Sequence, residues 1–93
     1  FNSTLSASFI NARRFIDLMP LNAPKPEISI EADGEIAFDW IKDKRHYLSL
    51  SIGAGDLGHY AAIAGIRRHK GREWIGDEFP ESIIQIIKKI YRS

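Results

Sequence analysis

The segment Glu27 to Trp40, EISIEADGEIAFDW, constrains the fold more than any other stretch of this chain. Apolar and polar residues alternate on both sides of Asp33-Gly34, the pattern of two antiparallel strands joined by a tight turn. Ile28 and Ile30 share one face of the first strand, with Glu27, Ser29 and Glu31 on the other. Ile36, Phe38 and Trp40 continue the apolar face in the second strand, opposite Ala37 and Asp39. The Asp-Gly pair predicts a two-residue turn with positive φ at Gly34.

The pattern repeats downstream. Lys42 to Arg45 reads as a charged turn, after which Leu48, Leu50 and Ile52 alternate with Tyr47, Ser49 and Ser51 as a third strand. Glycines at 53, 55 and 58 end it, and with Gly65 they favour a fourth strand over a short helix for His59 to Ile66. Arg67 to Gly71 reads as the next turn, and Arg72 to Gly76 as a short fifth strand with Trp74 directed inward.

Helical spacing flanks this meander. Leu5, Phe9, Ala12, Phe15, Ile16 and Met19 form one apolar stripe, so Thr4 to Leu18 reads as an amphipathic helix ended by Pro20. Pro24 and Pro26 make Leu21 to Pro26 an extended connector. Pro80 opens a second helix with Glu81 in its first turn; Ile83, Ile84, Ile86, Ile87, Ile90 and Tyr91 form its apolar face. Lys88, Lys89 and Arg92 complement its dipole at the far end. The predicted fold is α+β: an N-terminal helix, a five-stranded antiparallel meander and a C-terminal helix, both helices covering one sheet face.

At 93 residues, 44% hydrophobic and 27% charged, the chain can bury one core but has no room for two, so residues 1–93 are read as a single domain. Cysteine is absent, which excludes thiol nucleophiles, zinc-thiolate sites and disulfides, and is compatible with a cytoplasmic location. Apolar runs such as Ile83-Ile84 and Ile86-Ile87 fall far short of the roughly 20 residues that span a bilayer, so no membrane partner is expected. The chain opens on Phe1 rather than Met, which is compatible with a cleaved or omitted leading segment.

Two stretches, PEISIEADGEIAFDW (Pro26 to Trp40) and GDEFPESIIQIIKKIY (Gly76 to Tyr91), resemble a pattern found in small uncharacterised bacterial proteins, often encoded near mobile or phage-like genes. The resemblance implies a bacterial accessory protein and carries over no catalytic residue.

Three groups of residues are candidates for function. The first is basic: alternate turns of a meander share one end, which gathers Lys42, Lys44 and Arg45 with Arg67, Arg68, His69, Lys70 and Arg72. The second helix, about 18 Å long at 1.5 Å per residue, returns Lys88, Lys89 and Arg92 toward them. The opposite end collects Glu31, Asp33, Glu35, Asp56, Asp77, Glu78 and Glu81. Such a basic end suits phosphates or an acidic protein, although charged turns also serve simply as solvated surface. With Trp40 and Trp74 read as inward, the aromatic interleaving of single-strand binding is missing.

The second group is the sheet face away from the helices, where Ser29, Ala37, Ser49 and Ser51 form a flat small-residue surface with Tyr47 and Ile41 toward one end and Ala61 and Ile63 beyond. It reads either as a homodimer face or as an ordinary water-facing one. The third is His46, His59 and His69 with Asp56. The meander separates His59 from the other two by a strand's length, about 20 Å, so no single site holds all three. Gly53-x-Gly55-x-x-Gly58 precedes a strand rather than a helix and is no dinucleotide fingerprint. The chain is therefore read as non-enzymatic, without metal or cofactor. It is expected to be a homodimeric binding or accessory protein with an unidentified protein partner, the alternative being a nucleic-acid-binding module that uses the basic end.

Overall fold

The computed structural model describes residues 3–92 and shows an α+β fold. Helix α1 (Ser3–Leu18) is followed by strands β1 (Glu27–Ile30), β2 (Ile36–Asp43), β3 (His46–Ile52), β4 (Leu57–Ala64) and β5 (Arg67–Trp74), then helix α2 (Glu81–Arg92). The strands form one antiparallel sheet in sequence order, a simple meander. Both helices pack on one face over the inner strands: α1 over β2 and β3, α2 over β2, β3 and β4.

The core is built from the alternating residues of those inner strands. Phe38, Trp40, Leu48, Leu50 and Ile52 are fully buried beneath Ile83 and Ile90 of α2 and Phe15 of α1. Phe15 is the hub of an aromatic cluster, with ring centroids 5.0 Å from Phe38, 4.7 Å from Phe79 and 6.4 Å from Trp40. The Trp40 indole donates to the Pro24 carbonyl at 2.8 Å, which ties the Pro-rich connector to the sheet.

Several expectations are corrected. The α1 stripe that turns inward is Leu5, Ser8, Ala12, Phe15 and Met19, whereas Phe9 and Ile16 lie on its flank and are 46% and 39% exposed. Ile28 and Ile30 pair with Phe38 and Ile36, which fixes them on the helix side, yet both are exposed because the helices do not reach the β1 edge. The first hairpin has a three-residue loop: Glu31 and Glu35 close it through Glu31 N to Glu35 O at 2.8 Å, and Gly34 N bonds Glu31 O at 3.0 Å. Gly34 has φ 90°, and among the described residues no non-glycine residue has positive φ. The two-residue turn expected at Asp33-Gly34 is thereby replaced by a three-residue loop, whereas the positive φ expected at Gly34 is present.

The largest correction is the register of β5. Ala64 pairs with Arg67, so the β4–β5 turn is Gly65-Ile66, with Gly65 at φ 71° in the first central position as that hairpin type requires. The fourth strand accordingly ends at Ala64 rather than Ile66, and Arg67 to Gly71 is strand, not turn. Gly71 is a bare strand position: a Cβ there would lie 2.8 Å from the Tyr60 hydroxyl, whose ring crosses it. Trp74 is 69% exposed, and the neighbouring Ile75 turns inward instead.

Candidate functional site: the cationic edge strand

Strand alternation divides β5 between the two faces of the sheet. His69 and Gly71 pair with Ala62 and Tyr60, which belong to the core side, so Arg67, His69, Gly71 and Glu73 face the helices. Arg68, Lys70, Arg72 and Trp74 project from the open face opposite Ile63, Ala61, His59 and Leu57. At two residues per step, Arg68, Lys70 and Arg72 form a row with about 6.7 Å between neighbours.

The basic end anticipated from the turns is partly assembled. Gly65 N donates to Arg45 O at 2.8 Å, which holds the Lys44-Arg45 turn against the Gly65-Ile66 turn. Lys42 precedes that turn at a β-bulge between Ile41 and Asp43. Asp43 is engaged locally: its carboxylate contacts His46 Nδ1 at 2.8 Å and accepts from Arg45 N at 2.8 Å. Those contacts, His46 first, hold its carboxyl below its ordinary pKa. Arg67 and His69 meet Lys89 and Arg92 of α2 across a pocket of about 420 Å³. Arg68, Lys70 and Arg72, by contrast, extend along the open sheet face toward the opposite end, because they are strand residues rather than turn residues. Among the described residues, Arg67, Arg68, Lys70, Arg72 and Arg92 have no carboxylate partner.

The small-residue face and the basic residues thus form one surface. Across it run the pairs Ser29 with Ala37, Ala37 with Ser51, and Ser51 with His59, ending at Arg72. One row over, Glu27, Asp39, Ser49 and Ala61 end at Lys70. Ile41, Tyr47 and Ile63 end at Arg68. Glu27 and Asp39 border the face on β1 and β2, Ser51 Oγ of β3 donates to Glu31 Oε1 of the first hairpin loop at 2.6 Å, and cations border the face on β5. Ala37 is only 7% exposed, a closed floor rather than a cleft. Sequence reasoning missed this fusion of surfaces. The signal that could have revealed it is Gly65, which suits a two-residue hairpin as well as Gly71 suits a loop.

The remaining candidates disperse. Asp56 and His59 line one open depression with no hydrogen bond between them among the described residues, and His46 is engaged by Asp43. Glu31, Asp33 and Glu35 bring carboxylate oxygens within 4.8 Å at the first hairpin, an exposed acidic corner opposite the basic one. An apolar pocket lined by Pro20, Ala23, Pro24, Phe79, Ile84 and Ile87 measures about 160 Å³, below the roughly 300 Å³ at which small-molecule sites begin. No described helix is long and apolar enough to cross a membrane. No model of a known family matches the chain, and comparison with curated proteins and with solved structures finds no match either.

Proposed function

We propose that this chain is a non-enzymatic binding module that holds single-stranded nucleic acid on the β4–β5 half of its open sheet face. The observation that carries the reading is the row Arg68, Lys70, Arg72 on an exposed edge strand, without carboxylate partners among the described residues and ending at the exposed indole of Trp74. Cations in a track neutralise backbone phosphates, and an exposed aromatic at the end of the track offers a stacking surface for a base. Tyr47, in the same row as Arg68, supplies a second ring on that face. Glu27, Glu31 and Asp39 on the other half repel phosphates and confine a strand to the basic half.

A blander account is that charged residues protect an edge strand from pairing with other chains. One or two charges suffice for that purpose. It does not explain why Arg67, Lys89 and Arg92 converge on the same edge from the other side.

Charge complementarity favours a second reading of the same face, the homodimer. A two-fold axis parallel to the strands lays the acidic β1–β2 margin of each protomer over the basic β5 margin of its partner. Ser29, Ala37, Ser49, Ser51 and Ala61 between them are small enough for sheets to approach at about 10 Å.

The test is binding of a labelled homopolymeric single-stranded oligonucleotide, followed by fluorescence anisotropy across a salt series. Arg68→Ser, Lys70→Ser and Arg72→Ser together should lower the salt slope by about 2, since each phosphate contact on a single strand contributes about 0.7. Trp74→Ala should cost about 1–3 kcal/mol of stacking. If the unaltered protein binds no oligonucleotide at low ionic strength, this reading fails. Light scattering on the same samples then decides for the homodimer, through a dimer that Ser49→Arg dissociates.

A further inference from the structure

The helix side of the same edge strand carries a second cationic feature that the row on the open face does not explain. Arg67 and His69 from β5 and Lys89 and Arg92 from the last turns of α2 line one open pocket of about 420 Å³, floored by Ala64. Lys89 and Arg92 are one turn apart on the helix and share a face, as do Arg67 and His69 on the strand. The pocket therefore draws full positive charge from both walls. His69 Nε2 is buried without a hydrogen-bond partner, an arrangement that costs about 1–3 kcal/mol unless something at the site satisfies it.

Dipole complementation accounts for Lys89 and Arg92, because a helix C-terminus carries about half a negative charge. It accounts for neither Arg67 nor the orphaned His69 nitrogen. The two guanidiniums, Arg67 and Arg92, which have no carboxylate partner among the described residues, also exceed that half charge several-fold, so the pocket is net attractive to anions.

We propose that this pocket binds a phosphate monoester, supplied by the terminal phosphate of the strand held on the open face. The assignment of a monoester rests on charge density. On the open face one cation stands at about every 6.7 Å, which suits singly charged diesters. In the pocket the Arg67 and Arg92 guanidiniums line one depression from both walls, which suits a group carrying about 1.5–2 negative charges at neutral pH. The Arg67 and Arg92 guanidiniums provide forked donors for its oxygens, and His69 donates from Nε2 when its proton sits there. Arg67 and Arg68 are adjacent in sequence and project to opposite faces, so a strand following the row passes over the sheet edge at the β4–β5 turn to reach the pocket. The terminal source of the phosphate rests on the nucleic-acid reading; the phosphate site itself does not.

The experiment compares one oligonucleotide sequence in three forms: 5′-phosphorylated, 3′-phosphorylated and unphosphorylated. A parallel titration with inorganic phosphate is followed through the His69 ring signal by NMR. One phosphorylated form should bind about tenfold tighter than the unphosphorylated one, the gain expected of a charge-assisted hydrogen bond. Arg67→Ser with Arg92→Ser, both at exposed positions, should erase that preference and the phosphate-induced shift of His69. The triple serine variant at 68, 70 and 72 should instead weaken all three forms together and leave the ratio unchanged. If no oligonucleotide binds while inorganic phosphate still moves His69 in an Arg67- and Arg92-dependent way, the nucleic-acid reading fails and the phosphate site stands. Equal affinity for all three forms, with His69 unmoved by phosphate, overturns the proposal.

Discussion

Phe15 and Phe9 are the same residue type on the same helix, and replacing each by Ala measures which face of α1 the fold uses. Phe15 is 1% exposed and touches three aromatic rings, at centroid distances of 5.0 Å, 4.7 Å and 6.4 Å. Its removal leaves a cavity among Phe38, Trp40 and Phe79, partners from β2 and from the loop before α2 that cannot all collapse into it. The expected loss is about 3–5 kcal/mol. A domain of 93 residues has about 5–14 kcal/mol in total at 0.05–0.15 kcal/mol per residue, so Phe15→Ala should consume about a fifth of it or more. At about 4–8 °C per kcal/mol the thermal midpoint should fall by at least about 12 °C. Phe9 is 46% exposed, so its truncation gives up about half of a burial worth about 1.5–3 kcal/mol. The better helix propensity of Ala returns part of that, which leaves a net loss near 1 kcal/mol or less. Far-ultraviolet circular dichroism during urea and thermal unfolding reads both variants. Comparable destabilisation by the two substitutions would refute the orientation of α1 and with it the aromatic hub.

Gly34→Val places a β-branched side chain at φ 90° and should destabilise the domain by about 1–2 kcal/mol, visible as a lower denaturation midpoint; an unchanged midpoint would reject the left-handed turn residue. Asp43 is held below its ordinary pKa by His46 and by the Arg45 amide. A lowered carboxylate pKa stabilises the fold fully above the unfolded value, near 3.9, and that stability is lost as pH falls through the folded value. Between about pH 5 and about pH 2 the thermal midpoint should therefore fall more steeply for the unaltered protein than for Asp43→Asn, and parallel acid slopes would show the Asp43 contacts to be absent in solution.

The strand alternation of Ile36, Phe38, Trp40, Leu48, Leu50 and Ile52 and the helical repeat of Ile83, Ile86, Ile87 and Ile90 determined the α+β architecture from the sequence alone. Each is a periodicity with a single face to bury, and residues of that kind sort themselves by water exclusion whatever their neighbours. Of the basic end, only the juxtaposition of the Lys44-Arg45 turn with the β4–β5 turn was legible for the same reason, since antiparallel order dictates which turns are neighbours; Arg68, Lys70 and Arg72 lie along a strand instead. What the sequence left open was parity along β5. RRHKGRE has no apolar alternation to fix which residues face the helices, and a shift of one residue exchanges every side chain between faces. Only the pairing of Ala64 with Arg67 across the Gly65-Ile66 turn, and the packing of Tyr60 over bare Gly71, decide it. The same pairing makes Arg68, Lys70 and Arg72 a border of the small-residue face and turns Trp74 outward. The flank positions Phe9, Ile16, Ile28 and Ile30 fell to tertiary structure as well. Their periodicity marks them for burial, but two helices cover only the inner strands of a five-stranded sheet, and residues beyond that reach stay in water.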